Sequence, residues 1–311
     1  MSAWLDEYGR LRVGWRFLLG LVVAFLANVA ALAVADAIAG LRPRLLDAIY
    51  RPLAMVLLLA GFSLLLVLAD RVRGNPLAAM GLGRIRWVRQ FALGLAIGAG
   101  MICAAMAGIA LGGQLSFLVS WNGRAGELML LELTVLVTGA LMEELMFRGY
   151  PFQRLVDGVG PSGAVVIVSV LFGMVHLGNP HASVWGLVNT ILVGALLSVA
   201  YLRTRSLWLP FGIHFAWNAV LGMAFGLPVS GLTQFAVVVH GMARGPRWLT
   251  GGAYGIEASA LGTLVILLGF VPLLLVTRPC LADRQPDQAL AVEPANPRSS
   301  PDQEPLGRIQ P

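Results

Sequence analysis

The amino-acid sequence predicts an all-α fold, a polytopic bundle of about eight membrane-spanning helices. Three observations lead there. Hydrophobic residues fill 58% of the 311 positions and charged residues only 12%, whereas a water-soluble domain carries about 25% charged residues. The apolar residues fall into runs of about 20, the helix length that crosses the hydrocarbon core of a bilayer. The chain contains no lysine, and its arginines cluster between alternate runs, the asymmetry that orients membrane helices.

Taken in order, the spans are residues 17–39, 53–69, 91–111, 128–150, 163–178, 185–202, 207–226 and 258–276. The first is too long, and too poor in a small-residue cleavage site, to read as a removable signal peptide. Asp36 and Asp70 sit near the ends of the first two as interfacial residues. The third carries Gly94, Gly98, Gly100 and Gly108, which permit close helix approach. Gly160-Pro161-Ser162-Gly163 provides a turn between the fourth and fifth. Asn189 in the sixth is a candidate for a hydrogen bond across the bundle. Trp185, Trp208 and Trp248 lie near span ends, as the aromatic belt of a membrane protein requires.

Arg10, Arg12 and Arg16 precede the first span, Arg71, Arg73, Arg84, Arg86 and Arg89 separate the second and third, and Arg203 and Arg205 separate the sixth and seventh. The opposite loops hold the smaller set Arg42, Arg44, Arg51, Arg124, Arg244 and Arg247. Both termini are therefore expected in the cytoplasm. A net charge of +6 is a topology signal and an anionic-lipid signal, and no nucleic-acid-binding module accompanies it. Residues 1–277 form one membrane-embedded domain, and the proline-rich segment 278–311 is expected to be disordered. Cys103 and Cys280 face different environments and suggest neither a disulfide framework nor a cysteine metal site. Exclusive use of arginine and the lack of an organelle-targeting signal point to a bacterial cytoplasmic membrane.

Against this apolar background three polar groups stand out. Glu143 and Glu144 adjoin in the fourth span with Arg148 four residues on, so Glu144 and Arg148 share a helix face while Glu143 points about 100° away. One acid can be held by the arginine and the other left free. In the fifth span Phe172 and His176 lie one turn apart, and in the seventh His214 and Asn218 share a face. Charged groups at mid-membrane cost about 2.5–3.5 kcal/mol each even on insertion scales. Singly, each group has a structural reading as an ion pair or an interhelical hydrogen bond. Together they point to a functional site where a carboxylate, two imidazoles and an amide converge.

Two rival chemistries draw on the same text. Gly160-Pro161-Ser162-Gly163 also reads as a rhomboid-like serine nucleophile with His214 as base, which leaves Glu143, Glu144, His176 and Asn218 unexplained. A non-enzymatic transporter or immunity-type protein could use Glu143, His176 and His214 as an ion relay. Aspartyl chemistry needs two embedded aspartates, which the inner spans lack.

The ordered motifs Glu143-Glu144-Leu145-Met146-Phe147-Arg148, Phe172-Gly173-Met174-Val175-His176 and His214-Phe215-Ala216-Trp217-Asn218 resemble those of the CAAX protease and bacteriocin-processing (CPBP) family of intramembrane proteases. The resemblance covers about residues 128–226. It implies an eight-helix endopeptidase with a cavity reached from the cytoplasmic side, acting on membrane-associated or lipidated, CAAX-like proteins or peptides. By motif, Glu143 would activate a water and His176 would bind or orient it. His214 and Asn218 would hold either a metal ion or the developing oxyanion, and Glu144 with Arg148 would buttress Glu143. Glu143, His176 and His214 also match the three-ligand shell of a catalytic zinc. A metal-free glutamate mechanism fits the same residues, and the zinc motif His-Glu-x-x-His is absent.

Overall fold

The computed structural model describes residues 76–277, together with residues 14–20 and the single positions 22, 26, 29 and 61. Most of the first two expected spans and the tail after Thr277 lie outside the described residues. Six helices carry the architecture: α1 (Trp87–Leu111), α2 (Ala125–Arg148), α3 (Tyr150–Val175), α4 (Val184–Thr204), α5 (Trp208–Ala219) and α6 (Ala260–Val276). They correspond to the third through eighth expected spans. Among the described residues, three helical stretches are long and apolar enough to cross a membrane: Trp87–Leu111, Ala125–Gly178 and Val184–Thr204. The count of eight transmembrane helices is not reproduced at that level, because α5 and α6 are shorter and most of the first two spans lies outside the described residues.

Two departures from the expected pattern have clear causes. The helix leading into the fifth span starts at Tyr150 rather than near residue 163, because residues 150–159 form helix of their own. That segment buries Phe152 and Leu155 and pairs Arg154 with Asp157 at 3.1 Å. The expected break nevertheless exists: Gly160 sits at φ 77°, ψ 167° inside α3, in the left-handed region that favours glycine, and Pro161 restarts the helix where its missing N–H costs nothing. The second departure is a short β-ribbon in an otherwise mostly helical chain. Leu115–Val119 (β1) and Val239–Ala243 (β2) pair as an antiparallel ribbon with Leu118 opposite His240, satisfying backbone groups of two long loops that have no helix to pair in.

This ribbon ties the α1–α2 and α5–α6 connections together at one end of the bundle. At the other end the amide of Leu207 donates to the Gly81 carbonyl at 2.8 Å, and the Trp208 indole donates to the Gly83 carbonyl at 3.0 Å. Connections therefore alternate between ends, as through-running helices require.

α1 and α5 run parallel with their backbones in contact. A Cβ on Gly94 would strike the Leu209 carbonyl, one on Gly98 the Ile213 carbonyl, and one on Gly212 the Phe91 carbonyl. Of the four glycines expected to permit packing, Gly94 and Gly98 do so here, Gly108 rests on Leu261, and Gly100 has open space beside it. One apolar core joins α1, α4, α5 and α6 through residues such as Ile102, Leu196, Ile213 and Ile266, and a second gathers Leu145, Phe147, Phe152 and Phe172 where α2 meets α3. The polar site lies at the junction of the two.

Candidate functional site

The geometry of α2 separates the two acids as their spacing demands. Glu144 and Arg148 are fully buried and joined at 3.1 Å, Arg148 Nη1 donating to Glu144 Oε1. Arg148 Nη2 donates to the Gly194 carbonyl of α4 at 3.1 Å, and the guanidinium lies 4.4 Å from the Phe172 ring centroid. Buried charge of this kind persists only where it is paired and hydrogen-bonded. Glu144 Oε1 also accepts from His214 Nδ1 at 2.9 Å, so Glu144 serves α2 and α5 at once.

Glu143 points elsewhere, into a cavity of about 320 Å³. Its Oε2 lies 3.8 Å from Nε2 of both His176 and His214, close enough for electrostatic contact and too long for a direct hydrogen bond. That oxygen is buried and has no hydrogen-bond partner among the described residues. The His176 ring is fixed from behind, its Nδ1 donating to the Phe172 carbonyl at 2.7 Å, and it lies against the Phe172 ring at 4.7 Å between centroids. A carbonyl and a carboxylate only accept, so both Nδ1 atoms carry protons. In the neutral imidazoles, both Nε2 atoms are then acceptors facing an acceptor oxygen, an arrangement complementary to a donor such as water.

All six expected residues thus belong to one assembly. Glu143, His176, His214 and Asn218 line the cavity, while Glu144 and Arg148 lie behind it. Asn189 also lines it and does bond across the bundle, giving Nδ2 to the carbonyls of Glu257 and Ser259, each at 2.9 Å, and taking the Thr263 hydroxyl at 2.7 Å. Ser162 is exposed on α3 and is not among the cavity-lining residues, so the serine chemistry has no nucleophile at this site. His181 is exposed, and His240 lies partly exposed in β2, where its ring meets the Ser120 hydroxyl at 2.8 Å.

Sequence reasoning missed the contribution of the loop between α5 and α6. Ser230, Gln234 and Glu257 all line the cavity. Glu257 takes the Trp217 indole N–H at 3.0 Å and the backbone N–H of Ser230. Burial pushes its carboxyl above the usual carboxylate range, and the Ser230 and Trp217 donors oppose that shift. An acid immediately ahead of the eighth apolar span was the available signal.

The same donors include residue types that ligate metal ions. The residue types suit zinc, and the Nδ1 bonds resemble those that orient metal-bound imidazoles. Yet among the described residues no group of three or more His, Cys, Asp or Glu side chains is arranged to hold a metal ion. Glu143, His176 and His214 surround a common space without forming a ligand shell.

Fold and site together define a class: a helical membrane protein with a glutamate-histidine cluster on a cavity inside its bundle. Residues 125–220 match the family described as Type II CAAX prenyl endopeptidase Rce1-like, a segment that contains all six expected site residues and ends before Glu257. The chain is also 27% identical over 111 residues to "Putative membrane peptidase YdiL" of Bacillus subtilis, covering 34% of this chain and 43% of the relative. It therefore spans less than half the length of the curated relative it matches. No solved structure matches. The resemblance to the CPBP family drawn from the three motifs is shown over the matched segment.

Proposed function

We propose that the chain is an intramembrane endopeptidase that hydrolyses peptide bonds of membrane-associated or lipidated substrates with a water activated by Glu143. The observation that supports this most directly is that Glu143 Oε2 lies 3.8 Å from both imidazole Nε2 atoms on the cavity wall, while Glu144 is held through its Oε1 by Arg148 and His214. With His214 protonated from the outset between Glu143 and Glu144, a water drawn to Glu143 Oε2 and His176 Nε2 can give a proton to Glu143 and attack a carbonyl carbon with its oxygen, His176 fixing its direction. The carbonyl oxygen becomes an oxyanion. Asn218 Nδ2–H, and His214 Nε2–H in its imidazolium form, are the donors on α5 for that charge. Glu143 then returns the proton to the leaving amine as the C–N bond breaks.

The matched family and relative, both named for peptidases, support the same class. The membrane is proposed to be a bacterial cytoplasmic membrane with both termini inside, as the arginine pattern indicates.

The test is cleavage of a panel of lipidated and membrane-anchored peptides by the purified protein in bilayers, wild type beside Glu143→Gln, with and without a zinc chelator. Cleavage lost in the variant supports the glutamate-centred reaction, and cleavage that survives chelation supports its metal-free form. Equal cleavage by both proteins removes Glu143 from the chemistry. Proton or ion flux that depends on Glu143, without cleavage, would favour the relay.

A further inference from the structure

The cavity has an electrostatic feature that the hydrolytic chemistry does not use. Among the described residues, its lining includes two carboxylates, Glu143 and Glu257, and no arginine; the chain has no lysine. The nearest arginine of the site, Arg148, is buried behind the wall and already engaged by Glu144 and the Gly194 carbonyl. Glu257 keeps partial accessibility and has no ion-pair partner among the described residues. Its oxygens accept only the neutral donors of Trp217 and Ser230. Those two N–H groups fix its rotamer and require an acceptor at each oxygen, so the carboxylate form fits and an amide would set an N–H against an N–H.

A carboxylate enclosed without a counter-charge is costly, and the cost falls when a cation arrives. His176 faces the same cavity and is the titratable group whose charge reaches Glu257, but its Nε2 is turned to Glu143. The Trp217 indole, bonded to Glu257 and lining the cavity, adds an aromatic surface of the kind cations favour.

We propose that this cavity selects peptide segments bearing a positively charged side chain, which Glu257 receives on a wall separate from that of Glu143. The inference rests on the reading of the cavity as a peptide site and adds the charge of the substrate to it. Glu257 lies beyond the segment matched by the family, so the selectivity is a property of this chain's own loop.

The experiment measures equilibrium binding, so that it does not depend on turnover. The full chain carrying Glu143→Gln, in lipid nanodiscs, is titrated with membrane-anchored peptides identical but for Lys, norleucine or Glu at one position scanned along the peptide. At one position the Lys peptide is expected to bind at least about tenfold tighter than the norleucine peptide, and the Glu peptide weakest. Adding Glu257→Gln should flatten that ranking while norleucine binding holds. Gln234→Lys, which installs a cation on the cavity wall and leaves Glu257 in place, should flatten it too, and decides the matter if Glu257→Gln does not fold. Equal affinities at every position, or a ranking preserved in the folded variants, overturn the inference. Binding of no peptide at all removes the peptide-site reading itself, whereas binding without charge preference removes only this step.

Discussion

One oxygen of Glu144, Oε1, accepts both the His214 Nδ1–H at 2.9 Å and the Arg148 Nη1–H at 3.1 Å. That sharing separates the two adjacent acids in the way their spacing on α2 predicts. Glu144 is consumed by a cation on its own helix and an imidazole on α5. Its bond to Nδ1 also settles which nitrogen of His214 turns to the cavity. Glu143, about 100° further round the helix, keeps an oxygen for the cavity because its neighbour carries the structural charge.

Glu144→Ala should therefore cost about 3–5 kcal/mol, since it strands Arg148 without a counter-charge in a dry site, and it should abolish peptidase activity by freeing the His214 ring. Denaturant or thermal unfolding in detergent measures the first effect, peptide cleavage the second. A stable, fully active variant would remove its supporting role.

Glu143→Gln is expected to behave in the opposite way. Its side chain is 27% exposed and makes no ion pair shorter than 3.8 Å, so the amide should leave the unfolding midpoint unchanged. Turnover should fall by about 10²–10⁴-fold, the contribution usual for a general base. Normal turnover by a folded variant would end the assignment.

These contrasts show how much was legible in the sequence. Spacings of three and four residues on a helix fix which side chains share a face, so the Glu144–Arg148 and His214–Asn218 pairings follow from arithmetic. The composition of Gly94 and Gly98 foretold close packing but could not name α5 as the partner. The segment 150–159 and the β1–β2 ribbon escaped because short amphipathic or extended pieces carry too few residues for a clear period. Glu257 escaped because its place at the site depends on how the α5–α6 loop folds back, a long-range contact that no local pattern encodes.

Ser162→Ala tests the rival nucleophile. Ser162 is exposed and away from the cavity, so stability should stay within about 0.5 kcal/mol and peptide cleavage should be unchanged. An inactive but folded Ser162→Ala protein would restore the serine mechanism.

Two glycines two residues apart on α1 should respond with opposite sign. In Gly98→Ala the new methyl meets the Ile213 carbonyl and the Ala216 side chain, forcing α1 and α5 apart at a cost of about 1–3 kcal/mol. In Gly100→Ala nothing lies within 4 Å of the new Cβ, and the gain in helix propensity of up to about 1 kcal/mol should dominate. Unfolding of both variants under one condition checks the pair, and equal effects would mean that α1 and α5 are not in backbone contact.

Glu257 makes stability depend on pH in a direction that can be worked out. Its folded-state carboxyl is raised above the reference value of 4.5, burial outweighing the Ser230 and Trp217 donors and the charge of His176. Between 4.5 and the higher folded value the native state binds more protons than the unfolded chain, so stability falls as pH rises through that window. Below 4.5 both states are protonated and the contribution is fully present; above the folded value it is lost. Glu257→Gln cannot titrate, so its stability should decline less steeply from pH 4.5 upward even though its absolute level shifts with the altered hydrogen bonds. Coincident slopes would mean that Glu257 binds protons alike in the folded and unfolded states, and that the α5–α6 loop does not enclose it.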